Sequence, residues 1–337
     1  MADRPTIYDV ARSAGVAPST VSRALARPGR VSAGTAERVR AAAAELGYRA
    51  LPQARAASTA ATGMIALVIS DITNPFGFEI IRGAEHAASD AGYTMILSDA
   101  QESGTRERTL VERAMPSVDG IVLASSRMSD STIRMMAKQK PTVVLNRAVL
   151  DVPSVVTDNR RGAAAAVEHL RELGHDAVSY LAGPEASWAD GTRWKAVLEA
   201  AQIAGVRARR AGPAVPTVDG GVAAAAELGD PLPTAVVAFN DQVAIGLVRG
   251  LRRRGVDVPG DVSVVGFDDI MLARLVTPEL TTVAAPLRTM GGVAVRNLLA
   301  QIASSGATPA RSAELPAQLV VRASTGPRRR RVRQRSR

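Results

Sequence analysis

Short apolar runs alternate with helix-like segments throughout residues 63–326, and this alternation constrains the fold more than any other feature. The runs that predict strands are residues 64–70, 94–98, 120–124, 142–145, 155–158, 177–182, 235–239 and 263–267. Strands without an alternating polar face are typical of parallel sheets covered on both faces by crossover helices. Because the pattern begins again near residue 155, we predict an α/β core of two doubly wound parallel-sheet halves. Ligands bind such sheets at the carboxyl ends of their strands.

Residues 6–48 have a different pattern, which predicts three short helices and no strand. Thr6 followed by Asp9 matches a capping box, and Gly15 is the residue type that commonly ends a helix. Pro18 suits the first turn of a second helix. A third helix follows. We therefore predict a small all-α domain, containing a helix-turn-helix, in front of the α/β core.

The second predicted helix has one apolar face and one polar face. Val21 and Leu25 lie on the apolar face, whereas Ser19, Ser22 and Arg23 lie on the polar face. Burying an unpaired arginine is costly, so the polar face must contact solvent or an anionic partner. One interpretation is a three-helix bundle with a solvated face. The other is a helix that reads the DNA major groove, since arginine can bind guanine through two hydrogen bonds.

The net charge of +10 is concentrated at the two ends of the chain. The first 62 residues carry nine arginines against four acidic residues, and residues 327–337 carry seven arginines and no acidic residue. The long middle section is close to neutral, which favours a phosphate partner for the N-terminal domain over a uniformly basic surface. We predict a disordered tail over residues 327–337, which is either only solvated or adds non-specific affinity for phosphates.

Several function classes lack their sequence signals. No run of about 18 apolar residues predicts a membrane span, no secretory signal begins the chain, and cysteine is absent. These features predict a cytoplasmic, nucleoid-associated protein. Neither a glycine-rich phosphate loop nor a nucleophile–base pair stands out, so we predict no enzyme activity and no cofactor. His86, His169 and His175 lack metal-ligand spacing, which predicts structural roles and no metal site.

The N-terminal pattern resembles the DNA-binding head of LacI/GalR-type repressors. The matching residues are Thr6, Tyr8, Asp9, Val10, Ala11, Ala14, Gly15, Val16, Ser19, Thr20, Val21, Ser22, Arg23, Val31, Ser32, Thr35, Glu45, Leu46 and Tyr48. The resemblance implies a head over residues 1–48 with two groups of DNA-binding side chains. The group that would face bases is Pro18, Ser19, Ser22 and Arg23, and Thr20 is a further DNA-binding residue. The group that would position the backbone or neighbouring base edges is Ile7, Tyr8, Arg30, Val31, Ser32, Thr35 and Tyr48.

Three alanines depart from the family pattern at or near the DNA. Ala17 replaces the usual serine before the second helix, and Ala26 replaces an asparagine near its end. Residues 49–62 read by composition as a loose or weakly helical linker, and by resemblance as a hinge helix that enters the minor groove and contacts DNA through Arg55. The position of the family's wedging leucine holds Ala57. Because alanine cannot unstack a base step as leucine does, we predict a weaker kink in the DNA.

The core resembles the same family and, through it, the type I periplasmic sugar-binding proteins. The matching runs are residues 71–76, 119–122, 174–175, 182–184, 239–241, 244–246, 259–269, 277–278 and 280–283. The resemblance implies an effector-binding and dimerisation core over residues 63–326, in which the chain crosses between the halves three times. The first half would comprise residues 63–158 plus about 288–312. The second would comprise residues 159–287 plus about 313–326.

The resemblance also implies an effector site made of residues that follow strand ends. These residues are Asn74, Phe76, Ser125, Arg127, Asn146, Arg147, Asp158, Trp188, Arg193, Asn240 and Asp268. Carboxylates and amides suit vicinal hydroxyls, arginine adds charged donors, and an aromatic ring stacks on a sugar face. Asn74, Asp158 and Asp268 have the alternative role of capping helices. Ala285 replaces a glutamine of the family, so one ligand hydrogen bond is expected to be missing.

These features predict a homodimeric transcriptional repressor controlled by a small molecule. Two heads would bind a pseudo-palindromic operator in double-stranded DNA, since a two-fold dimer requires matching half-sites, and a tetramer is the alternative assembly. A sugar is the expected allosteric effector, with purines and other metabolites as alternatives. Whether the effector releases DNA or strengthens binding stays open. The rival classes are a solute-binding protein and an α/β enzyme. The head argues against the first, and the lack of a catalytic constellation argues against the second.

Overall fold

The computed structural model describes residues 6–26, 31–46, 61–304 and 312–329. The chain divides after residue 60 into two compact units, which we call the head and the core. None of the helices in the described ranges is both long enough and apolar enough to cross a membrane. Several predictions fall outside the described residues, namely those for Arg30, Tyr48, Arg55, Ala57 and most of the Arg-rich tail.

The head contains three helices, α1 (Ile7–Ala14), α2 (Pro18–Ala26) and α3 (Ala33–Glu45). The predicted capping box is present, because the Thr6 backbone N–H and hydroxyl both donate to Asp9 Oδ2, at 2.8 and 2.6 Å. Gly15 ends α1 in the left-handed conformation, with φ of 64°. The three helices enclose a small core of valines and alanines, in which Val10, Val21 and Val39 are fully buried.

The core contains twelve strands and eight further α-helices within its described ranges. The strands are β1 (Met64–Ile69), β2 (Thr94–Asp99), β3 (Gly120–Ala124), β4 (Thr142–Leu145), β5 (Ser154–Thr157), β6 (Ala177–Leu181), β7 (Arg207–Ala211), β8 (Ala235–Ala238), β9 (Ser263–Asp268), β10 (Thr281–Ala284), β11 (Ala313–Leu315) and β12 (Gln318–Val320). The helices are α4 (Phe76–Asp90), α5 (Gly104–Ala114), α6 (Asp130–Ala137), α7 (Asn159–Glu172), α8 (Trp188–Ala204), α9 (Val218–Glu227), α10 (Asp241–Arg253) and α11 (Leu287–Ala303). Two short 3₁₀-helices lie at Met115–Ser117 and Met271–Arg274.

These strands form two six-stranded sheets, which confirms the predicted α/β core of two doubly wound halves. The first sheet has the order β11-β5-β4-β3-β1-β2 and the second the order β12-β10-β9-β8-β6-β7. All neighbouring strands are parallel except β12, which runs antiparallel to β10 at one edge. Helices α4 and α11 cover one face of the first sheet, and α5 and α6 cover the other. Helices α9 and α10 and helices α7 and α8 cover the two faces of the second sheet.

The chain crosses between the halves three times, and the third crossing differs from the prediction. The first two crossings lie between β5 and α7 and between β10 and α11. The third was expected after residue 312, but Ala313–Leu315 belongs to the first half, where Ala313 pairs with Val155. The reason is packing: Ala313 and Leu315 both lie against the apolar core of the first half. The third crossing therefore lies between Leu315 and Gln318.

Helix α11 comes from late in the chain yet completes the first half. A Cβ atom added at Gly83 of α4 would lie 1.9 Å from the Arg288 carbonyl oxygen, so the two helices touch backbone to backbone. On the sheet side, Met290 and Leu298 of α11 are fully buried within the same core as β1 and β3. The first sheet thus depends on a helix that follows it by well over a hundred residues.

Candidate functional sites

The polar face of α2 is exposed in the head. Ser19 and Arg23 are exposed, whereas Val21 and Ala24 turn into the head core. At the start of α2 the Ala17 carbonyl accepts hydrogen bonds from the Thr20 and Val21 N–H groups. Alanine has no side-chain acceptor to add to these bonds, and such a cap contributes about 1 kcal/mol where it is present. The face carries a positive charge and a hydroxyl at helical spacing, which suits a groove lined with acceptors.

The other residues predicted to bind DNA divide into exposed and core-packed positions. Tyr8 is 66% exposed, and Ser32 is exposed with its hydroxyl 2.9 Å from that of Thr35. Ile7 and Val31 pack against the head core, so their side chains serve the domain interior at least in part. Pro18, Thr20 and Thr35 are half-buried at the starts of α2 and α3. The Ser22 side chain lies outside the described ones.

A cleft opens between the two halves of the core, at the carboxyl ends of their strands. The space between its walls, including solvent at the open mouth, amounts to about 490 Å³. The lining residues are Ser70, Asn74, Phe76, Ser125, Ser126, Arg127, Asn146, Arg147, Ser187, Trp188, Ala189, Arg193, Pro216, Phe239, Asn240 and Asp268. The structure thus brings together every residue predicted for the effector site except Asp158.

Part of the first-half wall of the cleft consists of residues that follow β3 and β4, beside Ser70, Asn74 and Phe76, which follow β1. Ser125 and Asn146 both have positive φ angles, 57° and 58°, and Asn146 Nδ2 donates to Ser125 Oγ at 3.1 Å. Arg127 Nε lies 2.6 Å from Glu102 Oε2. Left-handed backbone at non-glycine residues is uncommon and concentrates at functional sites.

Arg147 is bound to the same wall through the outer end of its guanidinium. Its Nη1 donates to the carbonyl oxygens of Ser126 and Met128, and its Nη2 lies 2.5 Å from Asp130 Oδ1. The Arg147 Nε, in contrast, is buried and has no acceptor among the described residues. A buried donor without a partner is costly. A ligand oxygen in the cleft could supply that acceptor.

Arg193 is the centre of the second-half wall and is almost completely buried. Its Nη2 lies 2.7 Å from Asp268 Oδ1, its Nη1 donates to the Phe239 carbonyl oxygen at 2.6 Å, and its Nε donates to Asn159 Oδ1 at 3.3 Å. The guanidinium also lies over the Phe267 ring, 3.9 Å from its centroid. All three nitrogens are therefore occupied, and Arg193 joins β8, β9 and the start of α7.

Two buried carboxyl groups lie at the end of β9 and the start of α10. Burial raises the pKa of Asp268 to about 6, although the Arg193 guanidinium opposes this shift. Asp241 accepts from Thr282 Oγ1 at 2.5 Å and from the Ile270 N–H at 2.8 Å. Burial, reinforced by the Asp268 carboxylate, raises the pKa of Asp241 well above its usual range. Asp241 supports the loop that carries Asp268.

Three predicted site residues also cap turns or helices. Asn240 Oδ1 accepts from the Val243 N–H at 2.9 Å and caps α10, while the residue also lines the cleft. Asn74 Oδ1 accepts from the Phe76 N–H at 3.1 Å. Asp158 Oδ1 accepts from the Arg161 N–H at 2.9 Å and caps α7, and Asp158 does not line the cleft. The geometry therefore supports only the capping role for Asp158.

The sequence prediction missed six lining residues. Ser70, Ser126 and Phe239 lie beside predicted residues at strand ends, and that position could have revealed them. Ser187 and Ala189 flank the predicted Trp188 and could have been found in the same way, whereas Pro216 lies in a loop where no pattern indicated it. Three serines in this group make the cleft richer in hydroxyls than predicted.

The three histidines lie away from the cleft. His86 is exposed beside Asp90, and His169 Nε2 is 2.9 Å from Thr325 Oγ1. His175 is buried between Thr234, Ser263 and Gly326, and burial lowers its pKa. In the described ranges, no group of three or more histidines and acidic residues could hold a metal ion.

Comparison with known proteins connects both sites to one family. The family model for bacterial regulatory proteins of the lacI family matches residues 6–50, and the model for a periplasmic binding protein-like domain matches residues 167–325. The transcriptional regulator DegA of Bacillus subtilis is 34% identical over 336 residues, which span 96% of this chain and 99% of that protein.

Solved structures agree with this assignment. The complex of the transcriptional regulator CelR with cellobiose matches 95% of this chain and 100% of that chain, with a TM-score of 0.72 and 33% identity. The lac repressor dimer bound to operator and an anti-inducer matches 96% of this chain and 100% of that chain, with a TM-score of 0.70 and 28% identity. From the head, the two-half core and these matches, we conclude that the chain belongs to the LacI family of DNA-binding transcriptional regulators.

Proposed function

We propose that the protein is a homodimeric repressor that binds a pseudo-palindromic operator and is controlled by a sugar in the core cleft. The cleft between the two halves, lined by hydroxyls, amides and charge-paired arginines, is the observation that carries this proposal. The protein would act in the cytoplasm on chromosomal DNA and would bind its effector without changing it chemically.

DNA binding is supported by the exposed face of α2. Arg23 is exposed, and no carboxylate of the described residues lies within ion-pair distance of it. An unpaired guanidinium can donate two parallel hydrogen bonds to a guanine edge. The related lac repressor, as a dimer, is bound to its operator. We assign base contacts to Pro18, Ser19, Thr20, Ser22 and Arg23, and backbone positioning to the remaining predicted head residues.

A neutral polar effector is supported by the charges of the cleft. Arg127, Arg147 and Arg193 each have a carboxylate partner, so the three guanidiniums add little net positive charge. An anionic metabolite would bring a negative charge that these pairs leave uncompensated. A sugar brings hydroxyls, which can accept from Arg147 Nε and donate to Asp268. The cellobiose bound to the related CelR agrees with this choice.

Allosteric control is supported by the position of the cleft between two halves joined at three crossings. Phe76 lies at its edge and packs against the apolar cores of both halves. A ligand that contacts both walls stabilises one relative pose of the halves over another. The coupling is reciprocal, so the ligand changes DNA affinity by the factor by which DNA changes ligand affinity.

Dimerisation is supported by an exposed apolar patch on the first half. Phe78 of α4 and Ile96 and Leu97 of the edge strand β2 are between 36% and 46% exposed. Ile72 is 41% exposed, and its N–H donates to Asp99 at the end of β2. Ile96 and Leu97 are consecutive and point to opposite faces of β2, so these side chains surround the edge of the first sheet. Exposed apolar side chains at a sheet edge favour association with another chain. We assign this edge to the contact between two copies of the core.

The proposal is tested by fluorescence anisotropy on duplexes tiled across the DNA upstream of the protein's own gene. One duplex should bind in the nanomolar range at physiological salt, with sequence competition, and one neutral sugar of a panel should change that affinity at least tenfold. A purine nucleoside and a sugar phosphate serve as the competing effector classes. Equal binding to every duplex, or turnover of any panel compound, would contradict the proposal.

A further inference from the structure

A second group of arginines lies at the opposite end of the second sheet from the cleft. A groove of about 1,030 Å³, measured to its open mouth, runs along the amino ends of β6 and β7. Its lining includes Arg207, Arg209, Arg328 and Arg329, together with the hydroxyls of two further residues, Ser179 and Thr234. We call these six residues the basic corner. The cleft, in contrast, lies at the carboxyl ends of β8 and β9.

The basic corner carries an excess of positive charge. Arg207 and Arg328 share one carboxylate, Asp176, at 3.5 and 2.7 Å. Arg209 Nε donates to Ser179 Oγ at 2.7 Å, which neutralises no charge. Among the described residues, no carboxylate lies within ion-pair distance of Arg209 or Arg329. Four guanidiniums therefore line the groove, with Asp176 paired to two of them and the Asp257 carboxylate near the Arg329 guanidinium at Gly260.

The fold holds these four arginines in place. Arg207 and Arg209 lie on the same face of the edge strand β7, so they are separated by roughly 7 Å. The Arg328 N–H donates to the Leu173 carbonyl at 2.9 Å, and the Arg329 guanidinium lies against Gly260. The chain then continues from the edge of the groove into residues 330–337, which contain five more arginines and no acidic residue.

We propose that the basic corner binds the phosphate backbone of duplex DNA, as a second DNA contact separate from the head. Arginine donates paired hydrogen bonds that fit phosphate oxygens. A row of cations along an edge strand matches a linear polyanion better than a compact anion. The contact is independent of base sequence and of the operator that the head reads. A failed operator assignment would leave it intact.

The test is the salt dependence of binding of the full-length protein to a duplex that lacks the operator. The logarithm of the affinity for B-DNA falls linearly with the logarithm of the salt concentration. The slope is about −0.9 for each phosphate contact. The double variant Arg207→Ser/Arg209→Ser should reduce the steepness of this line by about 1.8. The ratio of the Kd at 200 mM KCl to that at 50 mM should then fall about 12-fold.

The matched control removes two charges from the same half outside the corner. Arg160→Ser/Lys195→Ser changes two side chains that are each 79% exposed and lie beside Glu199. This control should keep the wild-type slope, and unchanged urea unfolding would show that all variants fold. Equal slopes for the corner and control variants would overturn the proposal. So would saturable competition by micromolar inorganic pyrophosphate, which indicates a compact-anion site, or equal competition by polyglutamate.

Discussion

The ligand cleft and the basic corner both contain several arginines, but their arginines are neutralised differently. In the cleft, Arg127, Arg147 and Arg193 each have a carboxylate partner and are mostly buried. In the corner, Asp176 pairs with only two of four more exposed guanidiniums. The same residue type thus serves as a fixed hydrogen-bond donor in one region and as uncompensated charge in the other. A count of arginines would not distinguish the regions, whereas their carboxylate partners do.

Burial also makes the two groups unequal in their contribution to stability. Removing one partner of a buried pair leaves a charge that neither water nor protein compensates, at a cost of about 3–5 kcal/mol. An exposed pair contributes about 0–1 kcal/mol. We therefore expect substitutions in the cleft to lower the free energy of unfolding. Substitutions in the corner should change DNA affinity and leave the free energy of unfolding nearly unchanged.

The largest effect is expected for Arg193→Met. The substitution leaves Asp268 buried without its guanidinium and should lower the free energy of unfolding by about 3–5 kcal/mol, measured by urea denaturation. Arg160→Met, which breaks an exposed pair with Glu199, is the matched control and should cost less than about 1 kcal/mol. An equal loss of unfolding free energy in the two variants would contradict the proposed difference between buried and exposed arginines.

The carboxyl groups of the two regions should give opposite pH dependence. The folded-state pKa of Asp268 is about 6, above an unfolded value of about 3.9. The stability from this group is therefore fully present below about pH 4 and is lost as the pH rises to about 6, by about 3 kcal/mol. The difference in unfolding free energy between the wild type and Asp268→Asn, measured from pH 4 to 7, should show this loss.

Asp176 provides the opposite case for the same titration. The hydrogen bond from Arg328 lowers the pKa of Asp176, so its contribution is present above the unfolded pKa and is lost as the pH falls. The effect should be small because Asp176 is exposed and its pairs are screened. The difference between the wild type and Asp176→Asn should thus decrease toward low pH. A parallel trend for the two aspartates would contradict their assignment to different environments.

Arg23 is exposed, as the corner arginines are, but we expect it to contact bases of the operator. Arg23→Ala should weaken operator binding by about 1–3 kcal/mol and relax selectivity at one base pair per half-site. Competition by single-base operator variants measures this selectivity. Arg40→Ala, an exposed position on α3, is the control for loss of one head charge. A loss that is uniform across all sequences would make Arg23 a phosphate contact.

A change in ligand preference is expected for Glu102→Gln. The variant leaves Arg127 without a carboxylate, so the cleft gains a positive charge. The ratio of affinities for an anionic and a neutral form of the same sugar should rise about tenfold, or about 1.4 kcal/mol, by calorimetry. Glu112→Gln, which removes a surface partner of Arg108, should leave the ratio unchanged. An unchanged ratio in Glu102→Gln would show that carboxylate pairing does not set ligand charge.

The sequence predicted the central strands because both of their faces are apolar. It missed β7, since three arginines in the five residues Arg207–Ala211 interrupt any apolar pattern. That strand lies at a sheet edge, where charged side chains are tolerated and discourage pairing with other chains. The third crossing was misplaced by a few residues because the pairing of Ala313–Leu315 with β5 depends on contacts over 158 positions of sequence. Neither feature has a local signal.

The effector site was predictable to the extent that it follows strand ends. Asn240 and Asp158 illustrate the limit, because each follows a strand and caps the next helix, yet only Asn240 lines the cleft. The pairing of each cleft arginine was also unpredictable from sequence. Glu102, Asp130 and Asp268 stand at unrelated separations from their partners and meet them only in the fold.

The dependence of the first half on α11 has a consequence for protein synthesis. The first five strands end at Thr157, but the helix that covers them ends at Ala303 and the sixth strand ends at Leu315. At a translation rate of about 5–20 residues per second, the ribosome needs roughly 7–30 s to make the intervening chain. During this interval α4 alone covers the face that it later shares with α11, so the apolar side chains of β3, β4 and β5 that α11 packs against stay exposed. The head, which is complete within the first 60 residues, can fold before that interval begins.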